Sequence, residues 1–115
     1  MRIMVVEDDA IIALDIAGLL EEMGHEVVGE AADAHSAWAL AQEARPDMAL
    51  VDIRLAFDTD GGKLAQQLYR CLGMRSLFVS GSITDDFRQK MAAIRPLGFL
   101  GKPVTRRTLG EALAA

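Results

Sequence analysis

The chain has 115 residues, of which 51% are apolar and 25% charged, and a formal net charge of -5. That length suits one domain around one apolar core, read here as residues 1–115, and the composition excludes a disordered or low-complexity chain. The acidic balance argues against a nucleic-acid surface, which needs clustered Lys and Arg, and the pair Arg106-Arg107 reads as a solvated helix face.

The first predicted strand, 2–6, runs directly from Met1 with no signal peptide before it and ends in Val5-Val6-Glu7-Asp8-Asp9. A helix over 10–23 follows, its stripe formed by Ile12, Ile16, Leu19, Leu20 and Met23, and Gly24 ends it. Strand 26–30 leads to a helix over 34–44 with Ala37, Leu40, Ala41 and Ala44 inward and Trp38 packing at the border. Strand 48–52 is the apolar run Met48-Ala49-Leu50-Val51 closed by Asp52. The helix over 62–71 carries the single cysteine, Cys71, expected as a small buried or half-buried residue, since it has no partner for a disulfide or a zinc site. Strand 76–80, helix 84–94, strand 98–101 and helix 105–114 complete the chain. No apolar run approaches about eighteen residues, so no membrane span is expected and a cytoplasmic setting is.

Strand-length apolar runs alternating with helices predict an α/β fold. Right-handed crossovers then give three layers, αβα, around a flavodoxin-like, doubly wound, five-stranded parallel sheet of order 2-1-3-4-5. In such sheets the working site lies beyond the carboxyl ends of the strands near the switch in strand order. Those ends carry Glu7-Asp8-Asp9, Asp52, Ser80-Gly81-Ser82 and Lys102-Pro103. Asp9 reads as a helix N-cap. Capping does not require three acids, however, and carboxylates gathered closely repel unless protonated or shared with a cation. Oxygen ligands in a partly hydrated site suit Mg2+.

These residues bear a family resemblance. Val5-Val6-Glu7-Asp8, Arg45-Pro46-Asp47-Met48-Ala49-Leu50-Val51-Asp52, Val79-Ser80-Gly81 and Gly98-Phe99-Leu100-Gly101-Lys102-Pro103 resemble the receiver domain of two-component response regulators, over essentially the whole chain. The resemblance implies that Asp52 is the phospho-acceptor. Glu7, Asp8, Asp52 and the backbone carbonyl of Arg54 would hold Mg2+, and Ser80 and Lys102 would contact the phosphoryl group. Ser80 and Phe99 would form the switch, and the Lys102-Pro103 bond would be cis. It further implies a sensor histidine kinase or histidine phosphotransfer protein as donor and a downstream protein partner at the surface of the fourth helix, fifth strand and fifth helix, where two copies could also pair. His25 and His35 lie near the second strand and are poor internal donors. Two features depart from the family: the segment after Asp52 is longer and lacks proline, and Phe99 stands where Tyr is frequent.

Rival readings fare less well. A haloacid-dehalogenase-like phosphatase needs a second Asp two residues after the nucleophile, where Arg54 stands. A flavin or nucleotide module needs a Gly- or Thr-rich phosphate loop after the first strand, where this chain has acids. A receiver-like interaction module that is never phosphorylated, or a phosphate sink or shuttle without its own output, are the alternatives to a switching receiver.

Overall fold

In the computed structural model, which describes residues 1–55 and 60–114, the strands β1 (Arg2–Val6), β2 (Glu26–Ala31), β3 (Met48–Asp52), β4 (Arg75–Ser80) and β5 (Gly98–Gly101) alternate with five helices. These are α1 (Ala10–Glu22), α2 (Ala34–Ala44), α3 (Gly61–Leu72), α4 (Asp85–Met91) and α5 (Arg106–Ala114). The strands form one sheet of order β2-β1-β3-β4-β5, and every pairing is parallel. The flavodoxin-like α/β expectation holds. A parallel sheet covered on both faces asks for strands apolar at every position, and all five residues of β3 are buried.

Alternate side chains divide the core in two. Met4, Val6, Ala49, Val51 and Phe78 face α2, α3 and α4, where Ala37, Ala41, Leu64, Leu68 and Met91 meet them. Ile3, Val5, Met48, Leu50, Leu77 and Val79 face α1 and α5 through Ala13, Ile16, Leu20 and Leu109. In α1 the buried stripe is Ala13, Ile16, Ala17 and Leu20, with Ile12, Leu19 and Met23 only partly covered. Ile16 and Leu20 are buried as expected, while Ala13 and Ala17 take the buried places expected of Ile12, Leu19 and Met23.

Helix ends follow local chemistry. Asp9 caps α1 by accepting from the amides of Ile11 (2.9 Å) and Ile12 (3.2 Å). Asp33 caps α2, Asp60 caps α3 and Thr84 caps α4 in the same way. Arg45 and Arg95 end their helical segments in the left-handed region, at φ 48° and 52°, each ahead of a proline that disfavours a further helical residue. The guanidinium of Arg2 donates to the carbonyls of Ala44 and Arg45, and that of Arg75 to the carbonyl of Arg95, so each strand start satisfies a neighbouring helix end.

Two expectations are corrected. The helix over 84–94 is an α-helix only to Met91 and tightens into a 3-10 turn at Ala92–Ile94, a common way for a helix to end. Cys71 is exposed: it sits in the last turn of α3, to one side of the stripe of Leu64, Ala65, Leu68 and Leu72. Among the described residues no helix is long and apolar enough to cross a membrane.

Candidate functional site

Register carries the acids together. Val6 pairs with Val51, so Glu7, one residue past β1, comes level with Asp52 at the end of β3. Glu7 is anchored from the other side by its amide, which donates to the carbonyl of Ala31 at 2.9 Å. Glu7 and Asp52 are buried and Asp8 is exposed, and one carboxylate oxygen from each lies within 4.8 Å of the others. Ser80 pairs with Gly101, and the amide of Lys102 donates to the carbonyl of Ser80 at 2.9 Å. The Lys102 side chain then reaches back across the strand ends. Its ammonium donates to Glu7 Oε1 at 2.6 Å and to Asp52 Oδ2 at 3.0 Å. The Lys102-Pro103 bond is cis.

The remaining carboxylate oxygens are held by the backbone. Glu7 Oε2 accepts from the amide of Asp9 (3.3 Å) and Asp52 Oδ1 from that of Arg54 (3.1 Å). Burial, then the closeness of Asp52, outweighs Lys102 and pushes the Glu7 carboxyl up to about 7. Burial alone would pull Lys102 down, but its hydrogen bonds to Glu7 and Asp52 hold it above the ordinary lysine range.

With all three carboxylates ionised against one ammonium, two negative charges are uncompensated, the charge of one divalent cation. The donors are hard oxygens, and exposed Asp8 leaves the cluster open to water on one side. Both properties suit Mg2+, a hard cation that keeps part of its hydration shell.

Ser80 ends β4, and Phe99 on β5 packs against Phe87 of α4. Ser80 is buried at the end of β4, and its hydroxyl is turned to its own loop, donating to the carbonyl of Ser82 (3.1 Å) and accepting from its amide (3.2 Å). Phe99 stacks on Phe78 with ring centroids 5.6 Å apart, and Phe87 meets both rings edge-on. The guanidinium of Arg88 covers Phe99 at 4.7 Å from the ring centroid. His25 is at the opposite end of the sheet beside the N-terminal ammonium, and His35 lies in the first turn of α2.

Sequence reasoning did not find Lys102 paired with Glu7, Arg88 over Phe99, or the role of Asp60. The last had a local signal: an acid followed by Gly61-Gly62 and then a helical period reads as a cap. Part of the segment after Asp52, residues 56–59, lies outside the described residues. At its base Arg54 pairs antiparallel with Asp60.

A family model described as response regulator receiver domain matches residues 3–114. The chain is 41% identical over 54 residues to the transcriptional regulatory protein PdtaR of Mycobacterium tuberculosis, covering 47% of this chain and 26% of that protein. With the phyllosphere-induced regulator PhyR of Methylorubrum extorquens it shares 33% over 80 residues, covering 69% of this chain and 30% of PhyR. It thus spans under a third of the length of these relatives. Among solved structures it resembles a CheY-like receiver domain protein from Methanospirillum hungatei (TM-score 0.87, 28% identity, 98% of this chain and 90% of that one). It also resembles the chemotaxis protein CheY4 of Vibrio cholerae (TM-score 0.84, 26% identity, 98% and 95%). The acids at the sheet switch point, the lysine across them and the match over residues 3–114 agree: the chain belongs to the response regulator receiver domain family.

Proposed function

We propose that this receiver takes a phosphoryl group onto Asp52 from a phosphohistidine of a sensor kinase or phosphotransfer protein, and that the modified form alters the surface of α4, β5 and α5 to control a protein partner. The observation that carries this reading is the convergence of Glu7, Asp8, Asp52 and Lys102 on one point, with Asp52 Oδ2 already facing the lysine amine at 3.0 Å. Phosphoryl transfer needs an in-line nucleophile and compensation of charge on the equatorial oxygens, and little else from a protein.

A carboxylate oxygen of Asp52 forms the new bond to phosphorus while the phosphorus–nitrogen bond of the donor breaks, and the imidazole keeps that electron pair. Glu7, Asp8, Asp52 and the carbonyl of Arg54 are the residues that would hold Mg2+, which when bound supplies charge neutralisation to the transferring group. Lys102 offsets further charge as a point donor, leaving Glu7 for the phosphoryl oxygens. Asp52 is chemically consumed and must be regenerated by hydrolysis, so the domain acts as a signalling element and not as an enzyme on an external substrate.

Inverting a 99:1 preference between two surfaces requires about 5.5 kcal/mol of differential binding. Hydrogen bonds to charged groups contribute about 1.5–3 kcal/mol each, so new contacts from Ser80 and Lys102 supply most of that. Ser80 gives up its two bonds to Ser82, moves towards the phosphoryl group, and leaves space into which Phe99 turns. Membership of the receiver family supports a histidine-kinase-type donor and a cytoplasmic setting, and the donor phosphohistidine would have to reach the open edge beside Asp8.

The test is intact-protein mass after incubation of wild type and Asp52→Asn with acetyl phosphate, with and without Mg2+. We expect one phosphate adduct that requires the ion and is absent from the variant. An adduct at another residue, or none in wild type, overturns the proposal in favour of an interaction module that is never phosphorylated.

A further inference from the structure

Helix α3 opens with two consecutive glycines, Gly61 and Gly62, although glycine is among the poorest helix formers. Neither has a positive φ, so no special backbone conformation calls for it. Space does. A Cβ on Gly61 would overlap the carbonyl oxygen of Asp52 and stand 3.0 Å from both the carbonyl carbon of Asp52 and the Cα of Ile53, all main-chain atoms that no side-chain rotation can clear. A Cβ on Gly62 would meet chiefly side-chain tips, Phe87 at 3.0 Å and Met91 at 3.3 Å.

The contact at Gly61 is tied down on every side. Its amide donates to the carbonyl of Ile53 at 2.9 Å. Arg54 pairs antiparallel with Asp60, whose carboxylate caps the amide of Gly62 at 2.7 Å. The chain that leaves β3 at Asp52 therefore returns at Gly61 to lie on the peptide it left from.

We propose that Gly61 is a positioning residue for Asp52: its bare Cα lets the first turn of α3 clamp the Asp52-Ile53 peptide, holding the Asp52 carboxylate level with Glu7 and Asp8 independently of the segment in between. The clamp lets a longer, proline-free segment follow Asp52 without disturbing the acid cluster. The functional meaning of this clamp rests on Asp52 being the phospho-acceptor, but its geometry can be tested without phosphorylation.

The probe is Mn2+, titrated into unphosphorylated protein while broadening of the amide resonances of Glu7, Asp8 and Asp52 is followed. Gly61→Ala should weaken Mn2+ binding by about ten-fold or more, as expected when the support of a metal ligand is moved, and should shift the amides of Asp52, Ile53 and Arg54. Leu109→Ala, destabilised in the core beneath α5, should keep wild-type affinity per folded molecule. Should Gly61→Ala not fold, Asp60→Ala loosens the first turn of α3 without adding bulk, while Asp60→Asn removes the same charge and keeps the cap. Weaker binding in Asp60→Ala than in Asp60→Asn supports the clamp. Wild-type affinity and amide positions in Gly61→Ala, a loss no greater than in Leu109→Ala, or equal binding by the two Asp60 variants would overturn it. Absence of an adduct from acetyl phosphate in wild type would remove the proposed function and leave this result standing.

Discussion

Replacing Lys102 with Met tests how far its ammonium compensates the two buried acids. The ammonium donates to Glu7 and Asp52, whose side chains are only 1% and 7% exposed, while Lys102 itself is 24% exposed. Removing one partner of a fully buried pair costs about 3–5 kcal/mol. Water reaching the half-open lysine position brings that to about 2–3 kcal/mol at pH 8, where Glu7 is mostly charged. Glu7 behaves differently at lower pH. Its carboxyl is raised to about 7 in the folded chain, from 4.5 as its ordinary value. Folding thus favours its protonated form, and its contribution is most favourable below 4.5 and is lost as pH rises through about 7. At pH 5.5 Glu7 is neutral, its ion pair with Lys102 is gone, and the loss on substitution should fall to about 1 kcal/mol. Urea unfolding of wild type and Lys102→Met in EDTA at the two pH values measures the difference. A penalty equal at both, or larger at pH 5.5, would refute the argument that Lys102 acts chiefly by compensating two buried carboxylates.

Two further expectations concern the switch. Ser80→Ala removes one charged hydrogen bond from the phosphorylated state and should reduce its preference for the altered surface by about ten-fold or more. Smaller amide shifts in α4 and β5 on phosphorylation would register this, and undiminished shifts would show that Ser80 is not the link. Arg88→Ala uncovers the ring of Phe99; a half-exposed cation–ring contact contributes about 0.5–1 kcal/mol. The balance between ring positions of Phe99 should accordingly change about two- to five-fold, read from labelled ring carbons in NMR, and unchanged populations would show that Arg88 only rests on the surface.

Much of this protein was legible from short-range pattern. The apolar run of residues 48–51 declared a strand covered on both faces, the spacing of Ile16 and Leu20 a helix facing the sheet, and Asp9 ahead of an apolar period a cap, because strand, helix and cap are each decided by neighbours within a turn or two. Alternation of strands and helices, with the handedness of crossovers, then confined the sheet to few orders. The acids, the hydroxyl and the lysine could be assigned to strand ends on that basis alone.

What joins those ends is long-range. Lys102 meets Glu7 across 95 residues of sequence and Asp52 across 50, and no local period encodes which oxygen its amine will find. Cys71 is exposed because it lies off the buried face of α3, and Arg88 reaches Phe99 because α4 brings its side chain to the ring on β5. Gly61 lay just outside the helix expected over 62–71, and only the fold shows that the peptide of Asp52 occupies the space of its missing Cβ. Residue chemistry and periodicity determine elements and their polar ends by themselves. Distances between side chains on different elements depend on close packing of the whole interior, and here tertiary structure alone decided them.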